Sequence, residues 1–316
     1  GRVNGVHTHG MAPDKNRVLQ QLGARLPYRD APITVALVDQ PSSDQVQLDA
    51  CVQCGDCATG CNHNAKISLD TNLLAKAQRL GAKLITGATA WRLAAGEAGG
   101  WQVEVIHTDD QAQRREGRPH TLRARRVILA AGTLGSTELL MRSQEAGLPV
   151  SSRLGQQFSG NGNMITVAYD LHDRHGAPTT VNAVAHEHDE PAQRQVGPTI
   201  TGILDRRDPA HRPAGVPPHV IEDLAVPGPM QRLFGEIFTT ARALQELGEA
   251  DTSAHHGDPD WVDPMVVSDE AVRRSLVVAL IGHDQGDGQL KMPDKRSNRI
   301  PTDGQLHISW PTLKDD

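Results

Sequence analysis

Aromatic side chains are scarce in this chain of 316 residues: three Phe, two Tyr and four Trp, 3 % of the total. A core organised around large rings is excluded, so the interior must rest on Leu, Val, Ile and Ala. An excess of charge of one sign is also missing. The 32 basic and 38 acidic residues leave a net charge of -6, and the densest basic run is the short "RARR" from Arg123 to Arg126. That argues against nucleic acid as a partner. Long apolar runs are absent: the run from Ser275 to Gly282 falls far short of the roughly 20 residues a transmembrane helix needs. No secretory signal pattern opens the sequence. The dinucleotide fingerprint G-x-G-x-x-G and the serine elbow of hydrolases occur nowhere.

Cysteine is confined to one place. Cys51, Cys54, Cys57 and Cys61 form the run "CVQCGDCATGC" and are the only four. They sit too close together to staple distant parts of the chain, so they read as reduced thiols, metal ligands or redox groups, in a cytoplasmic setting. The spacing C-x2-C-x2-C-x3-C is that of a bacterial ferredoxin loop able to hold a 4Fe-4S cluster. Two features depart from that pattern. Asn62 stands where the ferredoxin loop has proline, and no second cysteine set follows. The alternative is a loop in which cysteine serves as a compact apolar residue. His63 is a further candidate ligand. The histidine pairs His7/His9, His186/His188 and His255/His256 stand in polar stretches without metal-binding spacing, and read as solvated loops.

Around this run the pattern predicts mixed architecture. Residues 12–22 read as a short helix. Leu69, Leu73, Leu74, Ala77 and Leu80 recur at helical spacing and Gly81 ends the stripe. "KLITGA" (Lys83 to Ala88) reads as a buried strand, "WQVEVIHT" (Trp101 to Thr108) as a half-exposed one. "HTLRARRVILAAG" reads as a strand turning fully apolar. "STELLMRSQEAG" reads as a helix with Ser136 as N-cap. From Asn163 onward six strand-like segments and one helix between Met230 and Leu247 suggest an antiparallel sheet. The fold class expected is therefore α/β plus antiparallel β. The expected divisions are 1–62 (irregular, with the cysteine loop), 63–162 (α/β) and 163–316 (antiparallel sheet plus helix).

The strand–turn–helix "VILAAGTLGSTELL" carries the clearest local chemistry. Ala130, Ala131 and Gly132 have almost no side chain, so a flat ligand can lie on their backbone. The helix that follows offers free N–H groups and a positive dipole end to a phosphate. "FSGNGN" places Asn161, Gly162 and Asn163 in a turn whose amides can line a flat ligand. "GHDQGDG" (Gly282 to Gly288) lacks calcium-loop spacing and reads as a hairpin turn. Glu222 and Asp223 read as a solvated strand end.

Three segments, Cys51–Leu93, Arg125–Ser143 and Leu154–Met164, together resemble the glucose–methanol–choline (GMC) family of oxidoreductases, in its cholesterol-oxidase-like branch. "GPTITGILD", "VIEDLAVP", "IGHDQGDGQLKM" and "DGQLHISWP" fit the same branch in order, so the resemblance runs from Ala12 to Pro311. It implies FAD as cofactor and oxidation of an alcohol or sterol CH–OH group by hydride transfer to flavin. Oxygen or another carrier would take the electrons. It also implies a Rossmann-like FAD domain interrupted by a substrate domain. On this resemblance a backbone group near Ala90 meets the adenine, Ala130–Gly132 and Ser136 lie along the FAD, and Asn161–Asn163 approach the flavin. The family's G-x-G-x-x-G is then expected before Gly1 and its catalytic histidine beyond Asp316. No catalytic residue is assigned within the chain, and a central fragment of this kind is expected to have little activity alone. In this context the cysteine loop is chiefly a pointer to the family, and an iron–sulfur electron-transfer module is the alternative.

Overall fold

In the computed structural model the residues described are 12–23, 26–32, 34–41, 45–97, 99–109, 115–185, 195–249, 268–292 and 306–310. They divide into two units, Gly1–Gly81 with Gly162–His283, and Ala82–Asn161 with Asp284–Asp316. The histidine pairs at 7/9, 186/188 and 255/256 lie outside the described residues.

In chain order the first unit begins with α1 (Asp14–Leu22), preceded by extended Pro13. Proline cannot donate to a preceding carbonyl, so it marks the helix start at no cost. Strands β1 (Tyr28–Asp30), β2 (Gln40–Pro41) and β3 (Gln47–Leu48) follow, then α2 (Leu73–Arg79). The second unit opens with β4 (Ala88–Ala95), β5 (Trp101–Thr108) and β6 (Arg115–Ala124), a three-stranded antiparallel meander, and continues with α3 (Gly132–Glu145). The chain then returns to the first unit through β7 (Met164–Ala168), β8 (Gly202–Arg206), β9 (His219–Asp223), α4 (Gln231–Glu249), α5 (Asp269–Arg273) and β10 (Leu276–Ile281). The paired strands β11 (Gln289–Lys291) and β12 (His307–Ser309) belong to the second unit.

The first unit is built on a five-stranded antiparallel sheet in the order β1-β8-β9-β10-β7. β10 sits between β9 and β7, with Val278 opposite Asp223 on one side and Thr166 on the other. Its sequence, LVVALI, suits that place: β-branched and aliphatic side chains pack well on a pleat with neighbours on both sides. Val18 of α1, Phe234 of α4, Val272 of α5 and Leu276 and Val277 of β10 bury together with Val181, Ala183 and Val184. Each such side chain contributes about 1.5–3 kcal/mol by leaving water. The few aromatics are used here: Phe234 tilts against Phe238 at 4.6 Å, and Phe238 stacks on Tyr169 at 6.2 Å.

The mixed α and antiparallel-β character agrees with expectation, but several local readings need correction. Lys83–Gly87 forms no ladder, and Leu84 and Ile85 are exposed. Extended backbone without a partner strand has nothing to bury against, so apolar content alone misled. The same holds for the apolar end of "RARRVILAAG": β6 stops at Ala124, and Ile128 is 89 % exposed. The leucine stripe around α2 is real but uncovered, with Leu69, Leu73, Leu74 and Leu80 all exposed. The segment "GHDQGDG" is no hairpin turn. β10 and β11, which flank it, pair in different sheets. Asp284 instead accepts hydrogen bonds from Gly160 N at 2.6 Å and Gly286 N at 3.0 Å.

Candidate functional site

The meander and α3 are locked together by a small set of polar contacts. Ser143, fully buried, accepts a hydrogen bond from Leu93 N at 2.9 Å and donates to Leu139 O at 2.7 Å. Arg142 donates to Trp91 O at 3.0 Å, pairs with Glu138 and stacks over the Trp91 ring at 4.3 Å. Burial lowers the pKa of that guanidinium, and Glu138 opposes the shift. The register of β4 slips between Ala90 and Arg92. A β-bulge frees backbone groups from the ladder, and here the Trp91 carbonyl is taken by Arg142. Ala90 lies beside this bulge and is exposed.

The turn into α3 is open. Ala130, Ala131 and Gly132 are exposed; Gly132 has φ +70°, and a Cβ there would touch nothing within 4 Å. Gly132 is thus chosen for its left-handed backbone, and the space above it is clear. α3 begins at Gly132 itself with Ala131 as N-cap, so Ser136 lies inside the helix and is not the cap expected. The left-handed glycine lets the helix start five residues early. No side chain caps this end and no acidic residue lies in its first turn. Its first N–H groups therefore remain available to an anion. The residues present here fit a flat, phosphate-bearing cofactor.

Asn161 (φ +64°) and Gly162 (φ +54°) form a sharp exposed turn, with Asn161 N donating to Ser159 Oγ. Ala90, Ala130–Gly132, Ser136 and Asn161 belong to the second unit, Gly162 and Asn163 to the first.

In the first unit the cysteine loop is firmly held. Cys51 N donates to Ala36 O at 2.9 Å, Gly197 N to Gln53 O at 3.1 Å, Gly228 N to Asp56 Oδ1 at 2.8 Å and Lys66 Nζ to Cys57 O at 3.2 Å. Gly55 has φ +87°, and a Cβ there would lie 2.7 Å from Val196. All four cysteines are free and half-buried. Burial raises the pKa of Cys51 and Cys54, and the neighbouring cysteines add to the rise. Among the described residues no group of three or more His, Cys, Asp or Glu is placed, as the side chains stand, to hold a metal ion.

One cluster escaped the sequence reading. Asp223 is not a solvated strand end: it is fully buried and ion-paired with fully buried Lys15. Asp223 also accepts from Thr201 N (2.9 Å), Gly202 N (2.5 Å) and Thr201 Oγ1 (2.5 Å). Lys15 donates to Thr201 Oγ1 at 3.3 Å, and Asn16 links Thr201 to Tyr28. Burial lowers the pKa of Lys15, against the pull of Asp223. The signal in the sequence was faint: Lys15 lies three and four residues before Val18 and Leu19, on the apolar face of α1. Glu222 is half-buried. Burial raises its pKa, and Asp223 adds to that.

Residues 40–159 match the sequence family described as GMC oxidoreductase. Cholesterol oxidases of two Mycobacterium tuberculosis strains, CDC 1551 / Oshkosh and H37Rv, are 35 % identical over 164 residues, 49 % of this chain and 28 % of theirs. A cholesterol oxidase of Acinetobacter baumannii is 36 % identical over 119 residues, 36 % of this chain and 21 % of its own. The matched stretches thus span 28 % of the Mycobacterium relatives and 21 % of the Acinetobacter one. Among the described residues no helix is long and apolar enough to cross a membrane.

Proposed function

From residues 40–159, which match the GMC oxidoreductase family, and from the similarity to cholesterol oxidases, we propose that the protein is an FAD-dependent oxidoreductase acting on a CH–OH group. The substrate is an alcohol or sterol-like molecule. The observation that carries this reading within the structure is the open, uncapped start of α3, behind three residues with almost no side chain. Gly132 N and the following N–H groups would face a phosphate, and Ala130 and Ala131 would let the cofactor rest on backbone. Ala90, Ser136 and the Asn161–Asn163 turn complete the proposed contacts. On this reading the meander with α3 is part of a Rossmann-like FAD domain, and the five-stranded sheet is the core of a substrate domain. The divisions we assign are 1–62, 63–162 and 163–316.

When bound, the flavin would supply the hydride-accepting chemistry. This chain's own residues would position it: the Arg142–Trp91 and Ser143–Leu93 contacts hold α3 against β4. A base must take the hydroxyl proton, and an imidazole suits that task near neutral pH. No residue between Gly1 and Asp316 is assigned to it. Oxygen or a diffusible carrier would take the electrons onward. Four unpaired thiols support a reducing cytoplasmic compartment.

The protein expressed from its whole gene provides the test. It should carry flavin absorbance that bleaches when a sterol or primary alcohol is added. Gly132→Val, which puts a branched side chain at φ +70°, should lower flavin occupancy while circular dichroism stays unchanged. A product that neither contains FAD nor takes it up on titration would sink the reading.

A further inference from the structure

We propose that Cys51, Cys54, Cys57 and Cys61 together hold one [4Fe–4S] cluster. In bacterial ferredoxins with this spacing the fourth cysteine serves a second cluster. The fold here assigns it differently. A 3-10 turn at Asp56–Ala58 and Gly60 at φ +113° bring the run around. Cys61 then lines the same small cavity as Cys51, Cys54 and Cys57. That removes the objection that the sequence holds no second cysteine set: all four ligands belong to one site.

The surroundings suit a cluster. Val35, Val52, Gly55, Ala65 and Gly197 line most of the rest of the cavity, and Asp56 and His63 complete it. Backbone N–H groups reach the sulfurs: Gln53 N lies 3.4 Å from Cys51 Sγ, and Ala65 N lies 3.3 Å from Cys61 Sγ. Hydrogen bonds to sulfur are among the features by which a protein tunes such clusters. Gln53 at φ +58° and Gly55 at φ +87° set the tight path, and the bonds to Ala36, Gly197 and Gly228 fix it to the core of the first unit. The loop is therefore shaped by protein contacts before any metal arrives.

The alternative occupant is a single zinc ion, which with Zn–S near 2.3 Å would draw its thiolates to about 3.8 Å from one another. A cubane spreads four thiolates over its corners, farther apart. Ligation replaces the four thiol protons, which leave to solvent. The inference is independent of the flavin reading.

The test uses the complete chain isolated without oxygen, then incubated with equal amounts of ferrous and ferric iron and with sulfide, and desalted. Iron, acid-labile sulfide, zinc and visible absorbance are measured. The expected result is about four iron and four sulfide per chain, with a broad visible band that dithionite bleaches. Cys57→Ser and Cys61→Ser should each lose most of that band and iron, with circular dichroism unchanged. Iron and sulfide at background would overturn the proposal. So would one zinc per chain in place of iron, or full iron retention by Cys61→Ser. Should Cys57→Ser fail to fold, the wild-type stoichiometry and Cys61→Ser still decide. Iron without flavin would count against the oxidoreductase reading alone; flavin without iron would count against the cluster alone.

Discussion

The two units are each held together in different ways. The unit around the five-stranded sheet gathers Val18, Val181, Val184, Phe234, Val272, Leu276 and Val277 into one buried core. It also holds a buried ion pair whose carboxylate has four donors. The meander unit buries Leu93 and Leu139, while leaving Leu84, Ile85, Ile128 and Leu134 exposed. The first also leaves Leu69, Leu73, Leu74, Leu80, Ile165, Leu233 and Ile237 exposed, yet it has a continuous buried core. The second is held by a few polar bonds between α3 and β4, and its most apolar extended segments have no ladder. The lesson is that strand-like composition does not make a strand. Without a partner to receive its N–H and C=O groups, an apolar segment stays extended and wet.

Perturbing each unit where it is held sharpens this contrast. The largest effect is expected for Lys15→Met, which leaves Asp223 buried without its cation. Removing one partner of a buried pair costs about 3–5 kcal/mol, read from the midpoint of urea unfolding. A loss below 1 kcal/mol would show that water reaches Asp223. Gly55→Ala combines a left-handed backbone with a close approach to Val196. Strain and overpacking together should cost about 2–4 kcal/mol, and Val196→Ala in the same chain should recover part of it.

Ser143→Ala acts on the other unit. It leaves the buried Leu93 N–H without its acceptor, for about 1–3 kcal/mol. Hydrogen exchange should speed up in β4 and α3 while the amides of β10 are unaffected. Faster exchange in β10 would mean that the two units unfold as one. The smallest effect is expected for Ile128→Thr. A side chain 89 % exposed should change stability by no more than about 0.5 kcal/mol. A larger thermal shift would mean that something covers this segment in solution.

Much of the fold was readable from pattern. The segments forming β5, β7, β8, β9, β10 and β12 alternate or run apolar as strands do, and α1 and α4 were visible from periodicity and breakers. The start of α3 was misplaced because Ser136 is a good N-cap type, while a left-handed Gly132 can begin a helix without one. Asp223 was misread because a carboxylate at a strand end is usually solvated. Only its partner, 208 positions earlier in the chain, reverses that expectation.

The sequence by itself determined the small-residue turn at Ala130–Gly132, the aliphatic core composition and the four-cysteine run. It also carried the family resemblance, which the match over residues 40–159 supports. These are local properties of residue type and spacing. Tertiary structure alone decided that Lys15 and Asp223 meet, that Lys83–Gly87 has no ladder, and that Cys61 turns back to the cavity of the first three cysteines. Each depends on contacts between segments remote in sequence or on the path of a left-handed turn. A one-dimensional pattern does not carry that information.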